Sequence, residues 1–409
     1  MKRILMIAYH FPPLAGSSGI QRTLRFVRYL PEFGWQPVVL SAHPRAYQQL
    51  SDDQMGDIPA GVEVIRAPAW DAARHLAIAG RYPRFLARPD RWVSWWLGAL
   101  WSWMAAVRRL RPDAIWSTYP IATAHMIGST LARRSGLPWI ADFRDPMAQV
   151  DYPPDLVKRR RFEEIERNAV ATARLSTFTT PSAVESYRVR YPDRAERICL
   201  LENGYDEETF ADIAPGGSLN PGRLTLLHSG IVYPIERDPT PLFAALARLK
   251  QIAPALYGRI LVRFRAPVHE SLVSRLAQRH GVADAIELLP PIPYREALRE
   301  MLSADGLLVL QAANCNAQIP AKLYEYLRAG RPMMVLSDPA GDTAQAARLA
   351  GIDAIVPLDD AQAIAQRLKK FVESPREGTL PADAAVVAAS RRERTRQLAE
   401  LLEQAVAAR

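Results

Sequence analysis

The densest run of chemically useful side chains is Gln318-Ile319-Pro320-Ala321-Lys322-Leu323-Tyr324-Glu325-Tyr326-Leu327-Arg328-Ala329-Gly330-Arg331-Pro332. Pro320 suits a first helical turn and Gly330 a C-terminal cap before the next strand. Lys322 and Glu325 then fall within one turn, on neighbouring parts of one face. With the helix N-terminus, Lys322 would neutralise a diphosphate, and Glu325 would accept hydrogen bonds from ribose hydroxyls. The plain alternative is a surface ion pair.

Three further segments carry polar or small residues where a strand gives way to a loop. Tyr9-His10-Phe11-Pro12-Pro13-Leu14-Ala15-Gly16-Ser17-Ser18-Gly19 joins an apolar run to a helical pattern. Gly16 and Ser17 make it an anion seat, because glycine admits close backbone approach. Its spacing is neither a dinucleotide fingerprint nor a P-loop, so a tight turn is the competing reading. Asp142-Phe143-Arg144-Asp145 sets three charges at the end of the fifth predicted strand. Open α/β sheets bind ligands there, although an Asp/Arg pair also ties down loops. Leu226-Leu227-His228-Ser229-Gly230 ends another strand, and Arg237 follows with a guanidinium suited to phosphate.

The elements that must hold these residues read as strand-helix alternation. Twelve strands are predicted: Arg3–Tyr9, Pro37–Ser41, Val62–Ala67, Ala114–Ser117, Trp139–Asp142 and Ser176–Thr180, then Leu224–Ser229, Arg259–Arg265, Ile286–Leu289, Gly306–Leu310, Met333–Leu336 and Ala354–Val356. Helical periodicity fills most gaps, as in Ile20–Phe33, Thr123–Ser135 and Lys322–Ala329. Such alternation predicts α/β architecture with parallel sheets covered on both faces, here two doubly wound domains. A length of 409 residues supports two cores. The domains are placed at residues 1–190 and 191–387, followed by an amphipathic helix over 388–409.

Cys199 and Cys315 form no disulfide or zinc pattern, which points to a reducing compartment. The run Ile4–Ala8 is too short for a signal sequence and reads as a buried strand, so a cytoplasmic protein is expected. Residues 1–200 hold 28 Lys and Arg against 18 Asp and Glu, while residues 201–409 hold 24 against 25. The basic excess thus belongs to the first half, where it would face phosphate or anionic lipid, or serve only solvation. No helix-turn-helix, RNP-like or zinc-finger pattern accompanies it, so nucleic acid is not expected.

In order and spacing, these segments resemble the family-4 glycosyltransferases of the GT-B fold, over nearly the full chain. The resemblance rests on Pro12-Pro13 with Gly16, on Asp142-Phe143-Arg144-Asp145-Pro146, on Asn203-Gly204-Tyr205-Asp206, and on Pro320-Ala321-Lys322-Leu323-Tyr324-Glu325-Tyr326 with Gly330 and Pro332. It looks closest to the bacterial surface-polysaccharide branch. It implies two Rossmann-like domains facing across a cleft, a last helix that crosses back to the first domain, and a nucleoside-diphosphate sugar as co-substrate. It further implies retention of anomeric configuration, no cofactor and no metal; the chain contains no Asp-x-Asp motif. On this basis Gly16, Ser17, Gly230, Arg237, Pro320, Lys322, Leu323 and Glu325 are expected to bind the donor, and Asp142, Arg144 and Asp145 to line the sugar or acceptor side. The sequence departs from the family where Ala317 replaces the first of two Glu, where Asp238-Pro239 follows Arg237 in place of a Lys, and where Arg144 stands for a His.

Between the third and fourth predicted strands, five of the nine Trp fall within Trp92–Trp103, flanked by arginines. The apolar stretch Trp92–Val107 is 16 residues, below the roughly 18–20 that span a bilayer. Arg91, Trp92, Trp95 and Trp96 are expected to contact the inner face of the cell membrane as part of an interfacial helix, the alternative being Trp used as core. A glycan acceptor on a polyprenyl diphosphate would account for both the basic half and the aromatic strip. Two other functions fit the pattern: a nucleotide-sugar 2-epimerase, and a non-catalytic scaffold that binds a sugar nucleotide.

Overall fold

The computed structural model describes all residues except Ser18, Val150, Asp151, Ala408 and Arg409, and the side chain of Arg84. The chain divides into two compact units, one of Met1–Asn203 with Arg391–Arg409, the other of Gly204–Ser390.

The first unit is built on seven parallel strands: β1 (Lys2–Ile7), β2 (Trp35–Ala42), β3 (Glu63–Ala67), β4 (Ala114–Thr118), β5 (Trp139–Arg144), β6 (Leu175–Phe178) and β7 (Ile198–Leu200). Their order is β3-β2-β1-β4-β5-β6-β7. β1 shows why both faces are covered: Ile4 and Met6 pack on one side, Leu5 and Ile7 on the other, all buried. A strand buried on both faces reads as a continuous apolar run, as this one does. On the Ile4 side lie α1 (Gly19–Tyr29) and the last helix, whose Leu398, Leu402 and Ala405 share one stripe. On the Leu5 side lie α2 (Ser94–Leu110), α3 (Ala122–Ser135), α4 (Leu156–Thr172) and α5 (Pro181–Arg190). β7 is absent from the sequence reading: three residues give too little alternation to register. Its pairing with β6 carries the first unit past residue 190 to Asn203.

The second unit has six parallel strands: β8 (Leu224–Ser229), β9 (Ile260–Arg265), β10 (Ile286–Leu289), β11 (Gly306–Gln311), β12 (Met333–Ser337) and β13 (Ile355–Val356). Their order is β10-β9-β8-β11-β12-β13. Alternation again splits the apolar residues, with Leu308 and Leu310 on one face and Leu307 and Val309 on the other. Four helices matter below: α6 (Thr240–Ile252), α7 (Tyr294–Ser303), α8 (Lys322–Ala329) and α9, the last helix named above (Arg391–Ala407), which packs on the first sheet.

Both sheets reverse direction in the middle. The chain leaves β1 toward β2 and β3, then returns to place β4 on its other side; β8 and β11 repeat the pattern. At such a switch point the loops after two central strands diverge, leaving space at their carboxyl ends. Both candidate clusters lie there.

Candidate active site

In the first unit, Asp142 is fully buried near the end of β5. Arg22 of α1 donates to both of its oxygens, Nε to Oδ2 at 3.0 Å and Nη2 to Oδ1 at 2.9 Å. Thr118 and Thr177 donate to the same carboxylate at 2.9 and 2.8 Å. Burial alone would raise its pKa, but the charge and hydrogen bonds of Arg22, with Thr177, hold it below the usual carboxylate range. Arg22 also donates to the carbonyl oxygens of Leu201 and Glu202 at 2.9 and 3.0 Å. The expectation that Asp142 lines the sugar or acceptor side is therefore corrected: its acceptor sites face protein donors, and it ties α1 and the chain after β7 to β5.

Arg144 and Asp145 sit differently. The β5–β6 register shifts between Asp142 and Arg144, and Arg144 takes a φ of 63°, a conformation rare outside glycine. The shift re-aims Arg144 toward the loop after β1. A Cβ on Gly19 would lie 2.8 Å from Arg144 Nη1 and 2.6 Å from His10 Nδ1, so only glycine fits between them. His10 Nδ1 is 3.0 Å from Ser17 Oγ, which accepts from the Gly19 amide at 3.2 Å. Burial, then the neighbouring Arg144 charge, lowers the His10 pKa to about 4, so the ring is neutral near pH 7. Asp145 is exposed as a residue, but desolvation of its carboxyl group outweighs the opposing charge of Arg144 and raises its pKa above the usual carboxylate range. Gly16, with a φ of 75°, brings the loop against Gln49, and a cavity of about 390 Å³ opens there, lined by Tyr9, His10, Gly16, Ser17, Gln49 and Trp92 among others.

In the second unit, the end of β8 and the start of α8 build a cationic pocket. Tyr326 OH accepts from the Ser229 amide at 2.8 Å, which fixes the helix to the strand end. The loop before α8 is braced by Gln311, whose Nε2 donates to Cys315 O and Gln318 O, both at 2.8 Å. Lys322 Nζ lies 2.9 Å from His228 Nε2, and a Cβ on Gly230 would be 3.3 Å from it. His228 is buried, with Nδ1 2.9 Å from Leu308 O. Nδ1 must carry the proton to make that bond, so Nε2 accepts from Lys322.

The electrostatics of this pocket are one-sided. Burial of the head group, then the charge of Arg237, holds the Lys322 pKa well below its ordinary value, against the pull of Glu325. His228 is lowered for the same reasons in the same order: burial, then Lys322. Arg237 donates to Ile231 O at 2.7 Å and lies over the Tyr233 ring. Glu325 accepts from Tyr294 of α7 at 2.8 Å.

The structure therefore brings Gly230, Arg237, Lys322 and Glu325 into one neighbourhood and leaves other expected donor residues out of it. Leu323 is a correction: its side chain is fully buried in the core, and its amide donates to Pro320 O at 2.9 Å. The Tyr324 amide bonds to Ala321 O in the same way, so these two helix N-terminal donors are not open to a ligand. Pro320 serves by shaping that turn. Gly16 and Ser17 belong to the first-unit loop. His228 escaped the sequence reading as a functional residue, although an imidazole directly after Leu226-Leu227 in a strand was a signal, because a buried polar group needs a partner.

The membrane-contact residues also need correction. Trp95 is fully buried, so it cannot meet a bilayer. Trp92 and Trp96 pack half-buried on the first core, and their indoles donate to Ala46 O and Thr130 Oγ1 at 3.2 and 3.1 Å. Arg91 pairs with buried Asp71 at 2.6 Å. These Trp are core because α2 must cover the sheet. The exposed face of α2 is Leu97, Trp101 and Met104. Among the described residues, no helix is long and apolar enough to cross a membrane.

Comparison with known proteins matches part of this chain to a family model and the whole of it to a fold. Residues 18–204 match the family model described as a glycosyl transferase 4-like domain, a little under half of the chain. A search of curated proteins by sequence gave no match. Among solved structures, a sucrose-phosphate synthase from Thermosynechococcus elongatus is 16% identical with a TM-score of 0.67, each chain covered in full. A trehalose-6-phosphate structure from E. coli bound with UDP-2-fluoro glucose is 12% identical, covers 100% of this chain and 98% of its own, and has a TM-score of 0.59. A UDP-N-acetylglucosamine 2-epimerase is 15% identical, with coverage of 100% and 97% and a TM-score of 0.57. At such identities the likenesses establish the fold, and the family model bears on residues 18–204. Residues 18–204 thus match a glycosyl transferase 4-like domain, in a chain whose fold is GT-B.

Proposed function

We propose that the protein is a glycosyltransferase that moves a hexosyl group from a nucleoside-diphosphate sugar to a lipid-linked glycan acceptor at the cytoplasmic face of the cell membrane, with retention, without a metal or cofactor, in surface polysaccharide synthesis. The observation that carries the donor half is the juxtaposition of Lys322, His228, Gly230 and Arg237 at the carboxyl end of β8. Two cations crowd one another there, and a diphosphate would relieve that repulsion. The complex of a similar structure with UDP-2-fluoro glucose supports the same ligand class.

In the reaction, the bond between the anomeric carbon and the diphosphate oxygen breaks and leaves its electrons on the diphosphate. The acceptor hydroxyl oxygen bonds to the same carbon and passes its proton to a diphosphate oxygen on the same face. Lys322 and Arg237 stabilise the charge that develops on the leaving group. Loss of one such preorganised contact typically costs about 10²–10³ in kcat. Glu325, oriented by Tyr294, takes the ribose hydroxyls. On the acceptor side, Arg144 and Asp145 stand near the cavity bounded by Tyr9 and Trp92, whose rings offer apolar faces to a sugar.

The likeness to a 2-epimerase supports a second reading, hydrolysis or epimerisation of the donor without an acceptor. A thermal-shift panel of UDP, GDP, dTDP and their sugars, with and without a chelator, tests both. A ligand at 100 times its Kd raises stability by about 2.7 kcal/mol. A shift with one nucleotide that survives chelation supports the proposal; no shift with any nucleotide, even with magnesium, sinks it. Turnover of the stabilising sugar nucleotide in the absence of acceptor would instead select the epimerase.

A further inference from the structure

We propose that the first unit docks onto an anionic lipid surface through a basic cavity between residues 80–88 and the start of α4, and not through the Trp-rich start of α2. The cavity, of about 680 Å³, is lined by Arg81, Tyr82 and Arg88 on one side and by Asp155 and Lys158 on the other. The Asp155 carboxylate caps α4, accepting from the Lys158 amide at 2.8 Å. Arg81, Arg88 and Lys158 make no ion pair among the described residues; Lys158 lies over the Phe162 ring. From Leu76 to Pro89 the sequence holds Arg81, Arg84 and Arg88 and no carboxylate. At the other wall, Lys158-Arg159-Arg160-Arg161 follow in succession.

Apolar side chains stand out around this basic centre. Ile78 is 84% exposed, Phe85 67%, Leu156 64% and Val157 50%. Ile78 is held there by a tight turn, closed by Ile78 N to Arg81 O at 2.8 Å and Arg81 N to Ile78 O at 3.0 Å. Ala79 and Gly80 complete it with φ values of 49° and 74°. Protruding apolar residues set among cations match an interface of phosphate headgroups over acyl chains. A second protein would present a mixed surface, to which a cavity with three cations against the one Asp155 carboxylate is poorly matched. The lipid surface is therefore the occupant. This inference stands apart from the donor-site reading, because attachment to vesicles requires no turnover.

Co-sedimentation of the full chain with phosphatidylcholine vesicles, with and without phosphatidylglycerol, tests it. Binding should rise on addition of the anionic lipid and fall as salt is added. Arg81→Glu with Lys158→Glu should cut binding to anionic vesicles about tenfold or more, since each cation near such a surface contributes on the order of a fivefold change in affinity. Ile78→Ser with Phe85→Ser should lower binding at all salt concentrations. Circular dichroism, melting temperature and nucleotide affinity matching the unmodified chain confirm that each variant folds. Equal binding to both vesicle types overturns the proposal, as does undiminished binding by the charge-reversed variant. Loss on Trp101→Ser, with both cavity variants unaffected, would move the contact to the exposed face of α2. Conversion of a dimer to a monomer by Ile78→Ser with Phe85→Ser would place a second copy there and equally overturn it.

Discussion

The two units each gather buried charge at the carboxyl end of a parallel sheet, and they treat it in opposite ways. In the first, Asp142 meets Arg22 and two threonine hydroxyls, and Arg22 meets three further acceptors, so the cluster is complete within the protein. In the second, Lys322 rests on a neutral imidazole beside Arg237, with Glu325 as the carboxylate that draws on it. A satisfied cluster holds the fold. A cluster with surplus charge of one sign is destabilising by itself and is relieved by a ligand of the other sign. Position at a switch point does not separate the two cases; the inventory of partners does.

The contrast breaks most visibly through Asp142. Asp142→Ala strands the Arg22 guanidinium in the interior, and loss of one partner from a buried pair costs about 3–5 kcal/mol. Denaturant unfolding should show that loss; a change under ~1 kcal/mol, at the level of an exposed pair, would mean that the cluster is not structural. Next in size is Gly230→Ala. Its φ of 111° is strained for any side chain, and the new Cβ would stand 3.3 Å from Lys322 Nζ. We expect destabilisation of about 1–3 kcal/mol together with weakened nucleotide binding. Retention of both full stability and full affinity would show that the close approach is immaterial.

A pH titration sharpens the comparison. Because the Lys322 pKa is depressed, the free pocket sheds a proton at lower pH than an exposed lysine does, and a bound diphosphate draws the proton back. Affinity should therefore weaken as pH rises through the depressed value, by at most about tenfold per unit for one proton. Burial of the head group, Arg237 beside it and Glu325 one turn on set this value, with the neutral His228 behind. Calorimetry in two buffers of different ionisation enthalpy should record net proton uptake, absent in Lys322→Met. Uptake of the same size in that variant would assign the proton elsewhere. The smallest effect is on stability: Lys322→Met should leave the melting temperature unchanged or slightly raised, because a crowded ammonium gives way to an apolar chain. A fall in stability equal to that of Asp142→Ala would erase the difference between the clusters.

Strand-helix alternation made most of the fold legible, since strands buried on both faces are continuous apolar runs with polar breaks between them. β7 was invisible for lack of length, and its absence left the end of the first unit short. Lys322, Glu325, Arg237 and Gly230 were legible because strand ends, helical spacing and residue type coincide. Asp142 misled for the same reason. Its position is that of a ligand group, and only the pairing with Arg22, 120 residues away in sequence, discloses its structural role. Trp95 shows the converse limit: a Trp–Arg strip suits a membrane or a core, and which face of α2 meets the sheet is decided by packing. His228 required knowledge of which helix covers the end of β8.

The most direct test of the central claim is calorimetric titration of the nucleoside diphosphate selected by thermal shift into the unmodified chain and into Lys322→Ala. A charge-assisted contact removed from the pocket should cost about 1.5–3 kcal/mol, roughly tenfold to a hundredfold in Kd. That loss, in a variant with an unchanged melting temperature, is the result the account predicts. Equal affinity in the two proteins would contradict it and remove the diphosphate from the β8–α8 pocket.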